Sequence, residues 1–283
     1  DIGGTGIKFA SLTPDGKILD KTSIPTPENL EDLLAWLDQR LSEQDYSGIA
    51  MSVPGAVNPE TGVIDGFSAV PYIHGFSWYE ALSSYQIPVH LENDANCVGL
   101  SELLAHPEIE NAACVVIGTG IGGAMIINGR LHRGRHGLGG EFGYMTTLAP
   151  AEKLNNWSQL ASTGNMVRYV IEKSGQTDWD GRKIYQEAAA GNVLCQEAIE
   201  RMNRNLAQGL LNIQYLIDPD VISLGGSISQ NPEFIQGVKK AVDDFVETYE
   251  EYTVAPVIQA CTYHADANLY GALVNWLQEE NQW

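Results

Sequence analysis

Cys114-Val115-Val116-Ile117-Gly118-Thr119-Gly120-Ile121-Gly122-Gly123-Ala124-Met125-Ile126-Ile127-Asn128-Gly129 is the stretch whose reading decides the fold. Residues 118–123 satisfy the dinucleotide pattern G-x-G-x-x-G, which requires a helix immediately after it. The glycines lead instead into an apolar run, an Asn-Gly pair and then Arg130-Leu131. Asn-Gly between apolar runs is the strongest short hairpin signal, so the stretch reads strand, Gly-rich turn, strand, turn, strand. A dinucleotide-binding Rossmann domain is thereby disfavoured. The glycines suit a hairpin that offers its N–H groups to phosphate oxygens, and no Walker sequence G-x-x-x-x-G-K-S/T competes for that role.

Outward from this hairpin, Ile49-Ala50-Met51-Ser52-Val53 reads as a short buried strand stopped by Pro54-Gly55. Val89-His90-Leu91 is another, ending at Glu92-Asn93-Asp94. Thr26-Pro27 predicts an N-cap with Pro at the first helical position, followed by Leu30, Leu33, Leu34, Leu37 and Leu41 at helical spacing. A long helix from 193 to about 216 precedes the strand Val221-Ile222-Ser223-Leu224, which runs into Gly225-Gly226-Ser227. Alternating strands and helices imply an α/β protein. Two internal echoes suggest a duplicated architecture. Asp94-Ala95-Asn96 and Asp266-Ala267-Asn268 each follow a strand, with Gly99 and Gly271 five residues after the Asp. In each, the Asp is expected to cap a helix and the Gly to let that helix approach another closely. Gly3-Gly4-Thr5 and Gly118-Thr119-Gly120 are Gly-rich turns, one in each half.

The chain has 283 residues, 44% of them apolar and 18% charged, enough to bury a core. Its formal charge of −20 repels phosphate backbones and anionic membranes, so neither nucleic acid nor membrane is expected as a partner. A small phosphorylated ligand stays compatible, because local N–H groups outweigh a distant net charge. Cys97, Cys114, Cys195 and Cys261 are scattered, with no CxxC pair, which suits buried thiols in a reducing compartment. No apolar run approaches a membrane span and no signal peptide opens the chain, so a cytoplasmic protein is expected. A few residues are expected ahead of Asp1, since the chain opens on Asp1-Ile2-Gly3-Gly4-Thr5 without a leading strand.

Three Gly-rich loops (Gly3-Gly4-Thr5, residues 118–123 and Gly225-Gly226-Ser227) together with Lys8 point to a phosphate-rich ligand. Asp94 sits where a strand hands over to a helix, and its plain role is an N-cap. Asn93 beside it adds a second reading. An amide and a carboxylate at a strand's C-terminal end can bind vicinal hydroxyls of a sugar, the carboxylate taking the proton of a hydroxyl that attacks phosphorus. Glu141 stands among glycines in Gly139-Gly140-Glu141-Phe142-Gly143-Tyr144, where close backbone approach governs.

Asp1-Ile2-Gly3-Gly4-Thr5, Glu92-Asn93-Asp94-Ala95-Asn96, Ile117-Gly118-Thr119-Gly120-Ile121-Gly122-Gly123, Gly140-Glu141-Phe142-Gly143 and Leu224-Gly225-Gly226 succeed one another along the whole chain. In this order they resemble the ROK family of sugar kinases and repressors. The resemblance implies an α/β fold of the actin/hexokinase-like (ribonuclease H-like) type, two domains with a central cleft: residues 1–92 plus 266–283, and 93–265. It implies an ATP- and Mg²⁺-dependent hexose kinase acting on the primary hydroxyl of glucose or a β-glucoside. Phosphates would lie on Gly3, Gly4, Thr5, Lys8, Gly118, Thr119 and Gly120, and adenosine against Gly225, Gly226 and Ser227. The sugar would meet Gly55, Asn93, Glu141, Tyr144 and Gln159, with Asp94 as base and Asp1 near Mg²⁺. Two departures stand out. Tyr144 occupies the place of the family's zinc-binding His, and the Cys-rich zinc loop is replaced by residues 146–162 without a Cys, so no zinc site is expected. Gln159 replaces a Glu that touches the sugar near its anomeric carbon, and Trp157, at the last Cys position, is offered as a stacking surface. The stretch 141–145 looks like that of the family's zinc-free β-glucoside kinases. Fructose or N-acetylmannosamine phosphorylation is the nearest alternative. A sugar-sensing repressor is the other, and it would need a DNA-binding segment ahead of residue 1. A homodimer is left open.

Overall fold

The computed structural model describes residues 1–147 and 155–283. In chain order the elements are β1 (Gly6–Leu12), β2 (Ile18–Pro25), α1 (Leu30–Leu41), β3 (Ile49–Val53), β4 (Ala56–Asn58), β5 (Val63–Asp65), α2 (Trp78–Ala81), β6 (Val89–Asn93) and α3 (Asp94–Ala105). Next come β7 (Ala112–Ile117), β8 (Ile121–Ile127), β9 (Arg130–Leu131), β10 (Thr146–Thr147), β11 (Asn155–Asn156), α4 (Trp157–Ala161), α5 (Thr163–Ser174) and α6 (Gly181–Ala189). The chain ends with α7 (Val193–Ile217), β12 (Val221–Gly225), α8 (Pro232–Thr248), β13 (Ile258–Ala260) and α9 (Ala267–Glu279).

These elements form two compact units. The first comprises Asp1–Pro107, Arg133–Gly139 and Ala265–Trp283, and the second Glu108–His132 and Gly140–His264. The division after β6 thus falls at 107/108 rather than the expected 92/93, because α3 packs on α9. At Gly271 of α9 any Cβ would overlap the carbonyl oxygen of Cys97 in α3, so the helices meet backbone to backbone. The close approach expected at that glycine is what the structure contains.

In the first unit, β1 and β2 pair antiparallel, while β3 and β6 run parallel from Ile49↔Val89 to Val53↔Asn93. The N–H of Ile2 donates to the carbonyl of Ser52 at 2.8 Å, and that of Lys8 to Asp1 at 2.9 Å. Leu33, Met51, Val53, Ile64, Ile73, Trp78 and Leu91 form the core. Helix α1 begins later than Thr26-Pro27 suggests. Its cap is Asn29, whose side chain accepts the N–H of Asp32 at 2.9 Å, while the Thr26 hydroxyl donates to the carbonyl of Gly3 at 2.5 Å. The Thr26 side chain is thus turned to Gly3 and the accepting role at the helix start falls to Asn29.

In the second unit the strands lie in the order β13-β12-β7-β8-β9. β12 is parallel to both β13 and β7, and β7 is antiparallel to β8 from Ala112↔Ile126 to Ile117↔Ile121. Asn128 and Gly129 both take left-handed backbone angles, φ 53° and 70°, as a two-residue turn between β8 and β9 requires. The Gly-rich stretch is therefore a hairpin, as its sequence indicates. Cys195, Ala198, Met202, Leu206, Leu210 and Ile213, three or four apart, form the buried face of α7. Among the described residues no helix is long and apolar enough to cross a membrane.

Candidate active site

β6 delivers Glu92, Asn93 and Asp94 to the start of α3, and the three side chains divide the work differently from the sequence expectation. Asn93 is the cap: its Oδ1 accepts the N–H groups of Ala95 and Asn96 at 2.9 and 3.2 Å. Its Nδ2 donates to the carbonyl of Gly55 at 3.0 Å, joining two sequence-predicted sugar residues. Asp94 is the first residue of the helix, with Oδ1 accepting the N–H of Ala95 at 2.8 Å. Burial, the largest influence, pushes its carboxyl above the ordinary carboxylate range, against the stabilising N–H of Ala95 and side chain of Asn93. Freed from capping, Asp94 is an acceptor of raised basicity.

Lys8 and Asp1 meet on the neighbouring segment. Lys8 Nζ lies 3.3 Å from Asp1 Oδ2 and donates to the carbonyl of Ala265 at 2.5 Å, and Asn268 Nδ2 donates to Asp1 Oδ1 at 3.0 Å. Burial lowers the Lys8 pKa, partly offset by Asp266. The Gly3-Gly4-Thr5 turn between them is closed by the N–H of Gly3 on the carbonyl of Gly6 at 3.0 Å.

In the second unit, Gly118 donates its N–H to the carbonyl of Gly120 at 2.9 Å, and its Cα faces open space, with room for a ligand where a Cβ would stand. Gly226, at φ 89°, lies against Ile117, where a Cβ would collide with the carbonyl oxygen. The predicted phosphate turn and the predicted adenosine turn, Gly225-Gly226-Ser227, are thus neighbours. Glu141 leads the short turn Phe142–Tyr144, its carbonyl accepting the N–H of Tyr144 at 3.2 Å, and Tyr144 is 71% exposed.

Two expectations change here. Trp157 is fully buried, donates Nε1 to the carbonyl of Asn205 at 2.8 Å and packs against Gly209, so it is a core side chain and no stacking surface. Gln159 completes the capping box of α4: its Oε1 accepts the N–H of Asn156 at 3.1 Å while Asn156 Oδ1 accepts the N–H of Gln159 at 2.9 Å. The oxygen expected near a sugar is engaged in holding a helix. Residues 148–154 of the replaced zinc loop lie outside the described residues.

Sequence reasoning missed several contributors. Ser158 Oγ accepts the N–H of Ile121 at 2.8 Å, and the N–H of Gly164 donates to the carbonyl of Gly118 at 3.1 Å, so the starts of α4 and α5 brace the Gly-rich hairpin. The Ser162-Thr163-Gly164-Asn165 run carries a cap signature that could have flagged the second. Glu92 was also passed over. It is buried, and its Oε1 accepts both the N–H of Asn93 and Nδ2 of Asn96 at 2.8 Å. Among the described residues, no group of three or more His, Cys, Asp or Glu could hold a metal ion.

The family model of ROK proteins matches residues 1–279. A beta-glucoside kinase of Listeria monocytogenes is 34% identical over 100% of this chain and 97% of its own. A ROK family protein from Streptococcus pneumoniae TIGR4, solved in complex with sucrose, is 96% identical with a TM-score of 0.98, covering 100% of this chain and 98% of that one. A ROK hexokinase from Thermus thermophilus is 28% identical with a TM-score of 0.85, covering 99% and 97%. The two-unit α/β architecture is the actin/hexokinase-like fold that the sequence motifs implied. Matched from its first Gly-rich turn to its last helix, the chain belongs to the ROK family.

Proposed function

We propose that this chain transfers the γ-phosphoryl group of ATP to the primary hydroxyl of glucose or a β-glucoside. It is an ATP-dependent sugar kinase. The observation that carries the assignment of roles is Asp94: its carboxyl stands at the first residue of a helix already capped by its neighbour, with a pKa raised by burial. It accepts the sugar hydroxyl's proton as the new O–P bond forms and the bond to the departing ADP breaks. Asn93, already tied through its side chain to Gly55 and to Asp94, stands beside the base as the sugar-binding amide. Glu141 and Tyr144 are assigned to the sugar by their motif, and Gln159 could contribute only through its Nε2.

Gly118, Thr119 and Gly120, with Gly3, Gly4, Thr5 and Lys8, present N–H groups and a cation to the phosphates, and Gly225, Gly226 and Ser227 face adenosine. Mg²⁺, when bound, would be held through one or two carboxylates and water and would supply neutralising charge to the transferring group. Asp1 fits that demand. Each of its oxygens meets one donor, Asn268 or Lys8, and keeps a lone pair for a metal-bound water. The four cysteines, all buried and scattered in sequence, support a reducing, cytoplasmic setting, and the charge of −20 supports the absence of nucleic acid.

The Listeria kinase and the sucrose-bound Streptococcus protein both support a site that admits a second sugar ring. Coupled ADP release against glucose, cellobiose, methyl β-glucoside, fructose and N-acetylmannosamine tests the reading. We expect kcat/KM for cellobiose within about tenfold of that for glucose, a difference under ~1.4 kcal/mol. Glucose preferred a thousandfold would return the chain to a plain glucokinase. Turnover of fructose or N-acetylmannosamine alone would overturn both.

A further inference from the structure

Arg133 opens a segment, Arg133–Gly139, that packs with the first unit although the chain on either side of it belongs to the second. The segment is closed on itself by the N–H of Gly139 on the carbonyl of Arg133 at 2.8 Å. From that base the guanidinium reaches three partners in the first unit. Nε donates to Glu92 Oε2 at 2.6 Å, and Nη2 donates to Asn275 Oδ1 at 2.7 Å and Glu279 Oε1 at 3.0 Å. Burial works against the guanidinium charge, yet Glu92 and Glu279 outweigh it and hold the Arg133 pKa above its ordinary value.

The two oxygens of Glu92 have separate tasks. Oε2 is taken by Arg133, and Oε1 accepts the N–H of Asn93 and the amide of Asn96, the residues on either side of Asp94 and Ala95. The Glu92 side chain is only 4% exposed, so no bulk water stands ready to replace a lost donor. Without Arg133, a buried anion would turn toward other donors, and its grip on the first turn of α3 would go with it.

We propose that Arg133 is a positioning residue for phosphoryl transfer, acting through Glu92 to hold the Asn93–Asn96 turn that aims Asp94. The proposal rests on Asp94 being the base. A displacement of about 1 Å in a reacting group can cost on the order of 100-fold in rate. Arg133 reaches the turn that carries the base through Glu92, so its loss should appear in kcat and leave ATP affinity in place.

The test compares Arg133→Met, Arg133→Lys and Arg133→Met/Glu92→Gln with wild type, using glucose and ATP-Mg²⁺ well below each variant's melting temperature. For Arg133→Met we expect kcat to fall about 10–100-fold, KM for ATP to stay within about threefold, and amide exchange at Asn93 and Asn96 to quicken. Arg133→Lys, which keeps a charge and one donor for Oε2, should recover part of the loss. The double variant removes the uncompensated charge while leaving the side chain at position 92 without its Arg133 anchor, so it serves if Arg133→Met does not fold. It should remain at least about tenfold below wild type. A lowered Tm with wild-type kcat in either Met variant would overturn the proposal. The base reading is tested separately: wild-type kcat in Asp94→Asn sinks that reading, whereas an inactive Asp94→Asn beside a fully active Arg133→Met sinks only the role of Arg133.

Discussion

Asn268 donates its side-chain amide to Oδ1 of Asp1 at 3.0 Å. Asn96 does the same for Oε1 of Glu92 at 2.8 Å. The two Asp-Ala-Asn echoes in the sequence therefore share a job: the Asn in the first turn of each helix ties that turn to a carboxylate. The Asp of each triplet does not cap by side chain, because Asn93 caps α3 and Asp266 makes no side-chain cap bond on α9.

Since Asn93 supplies the cap, Asp94→Asn should leave the helix and the fold in place. The expected outcome is a kcat lower by about 10²–10⁴-fold with little change in thermal unfolding, read by ADP release and circular dichroism. Near wild-type turnover would remove Asp94 from the chemistry.

The raised carboxyl of Asp94 sets a sign for pH. Its proton is bound more tightly folded than unfolded, so its contribution to stability is present below the ordinary value of 3.8 and is lost as pH rises through the raised folded value. Activity runs the other way, because the base must be ionised. The acid limb of kcat/KM should therefore lie above 3.8. A profile flat down to pH 4, or an unchanged limb in Asp94→Asn, would contradict it.

If Asn268 orients Asp1 toward a hydrated Mg²⁺, Asn268→Ala should raise the Mg²⁺ needed for half-maximal rate by roughly 10–100-fold. Titration of Mg²⁺ at fixed ATP measures this. An unchanged requirement would separate Asp1 from the metal.

Trp157→Ala should destabilise the second unit by about 3–5 kcal/mol, the cost of emptying a large buried site. At a temperature where the variant stays folded, its ratio of cellobiose to glucose turnover should match wild type. A selective loss of cellobiose turnover would restore Trp157 as a sugar platform.

Tyr144 is not a zinc-ligand residue type, and residues 148–154 contain neither Cys nor His. Treatment with a zinc-selective chelator should leave Tm and Mg²⁺-dependent turnover unchanged. Stoichiometric zinc whose removal unfolds the chain would refute this.

The strands of the Gly-rich hairpin and β3, β6 and β12 were legible because their signals are local, whereas the β1–β2 pair carried no such signal and was not read. Asn128-Gly129 dictates its turn, and the apolar runs of β7, β8 and β12 declare themselves. Roles within a motif were harder to read. Glu92, Asn93 and Asp94 can all accept backbone N–H groups, and which one caps depends on the Gly55 carbonyl, 38 positions away, claiming the amide of Asn93. At Thr26 a carbonyl distant in sequence has the opposite result, since the side chain bonds Gly3 and Asn29 caps the helix. Trp157 looked like a platform because burial by α7 cannot be seen from residue 157 itself. Arg133 carried no signal, since an arginine in a Gly-rich loop has no periodicity, and its partners lie on β6 and α9.

The division of the chain also bears on synthesis. The helix that meets Cys97 at Gly271, Asp1 through Asn268 and Arg133 through Asn275 is synthesised after every other described element. At about 5–20 residues per second, the nascent first unit waits roughly 10–30 s for it after residue 107 is made, with the α9-facing side of α3 uncovered. The second unit has its whole sequence by residue 264 and can fold first. Chaperone dependence during translation should therefore concentrate on residues 1–107, and a premature stop before α9 would leave them without the partner that completes their core.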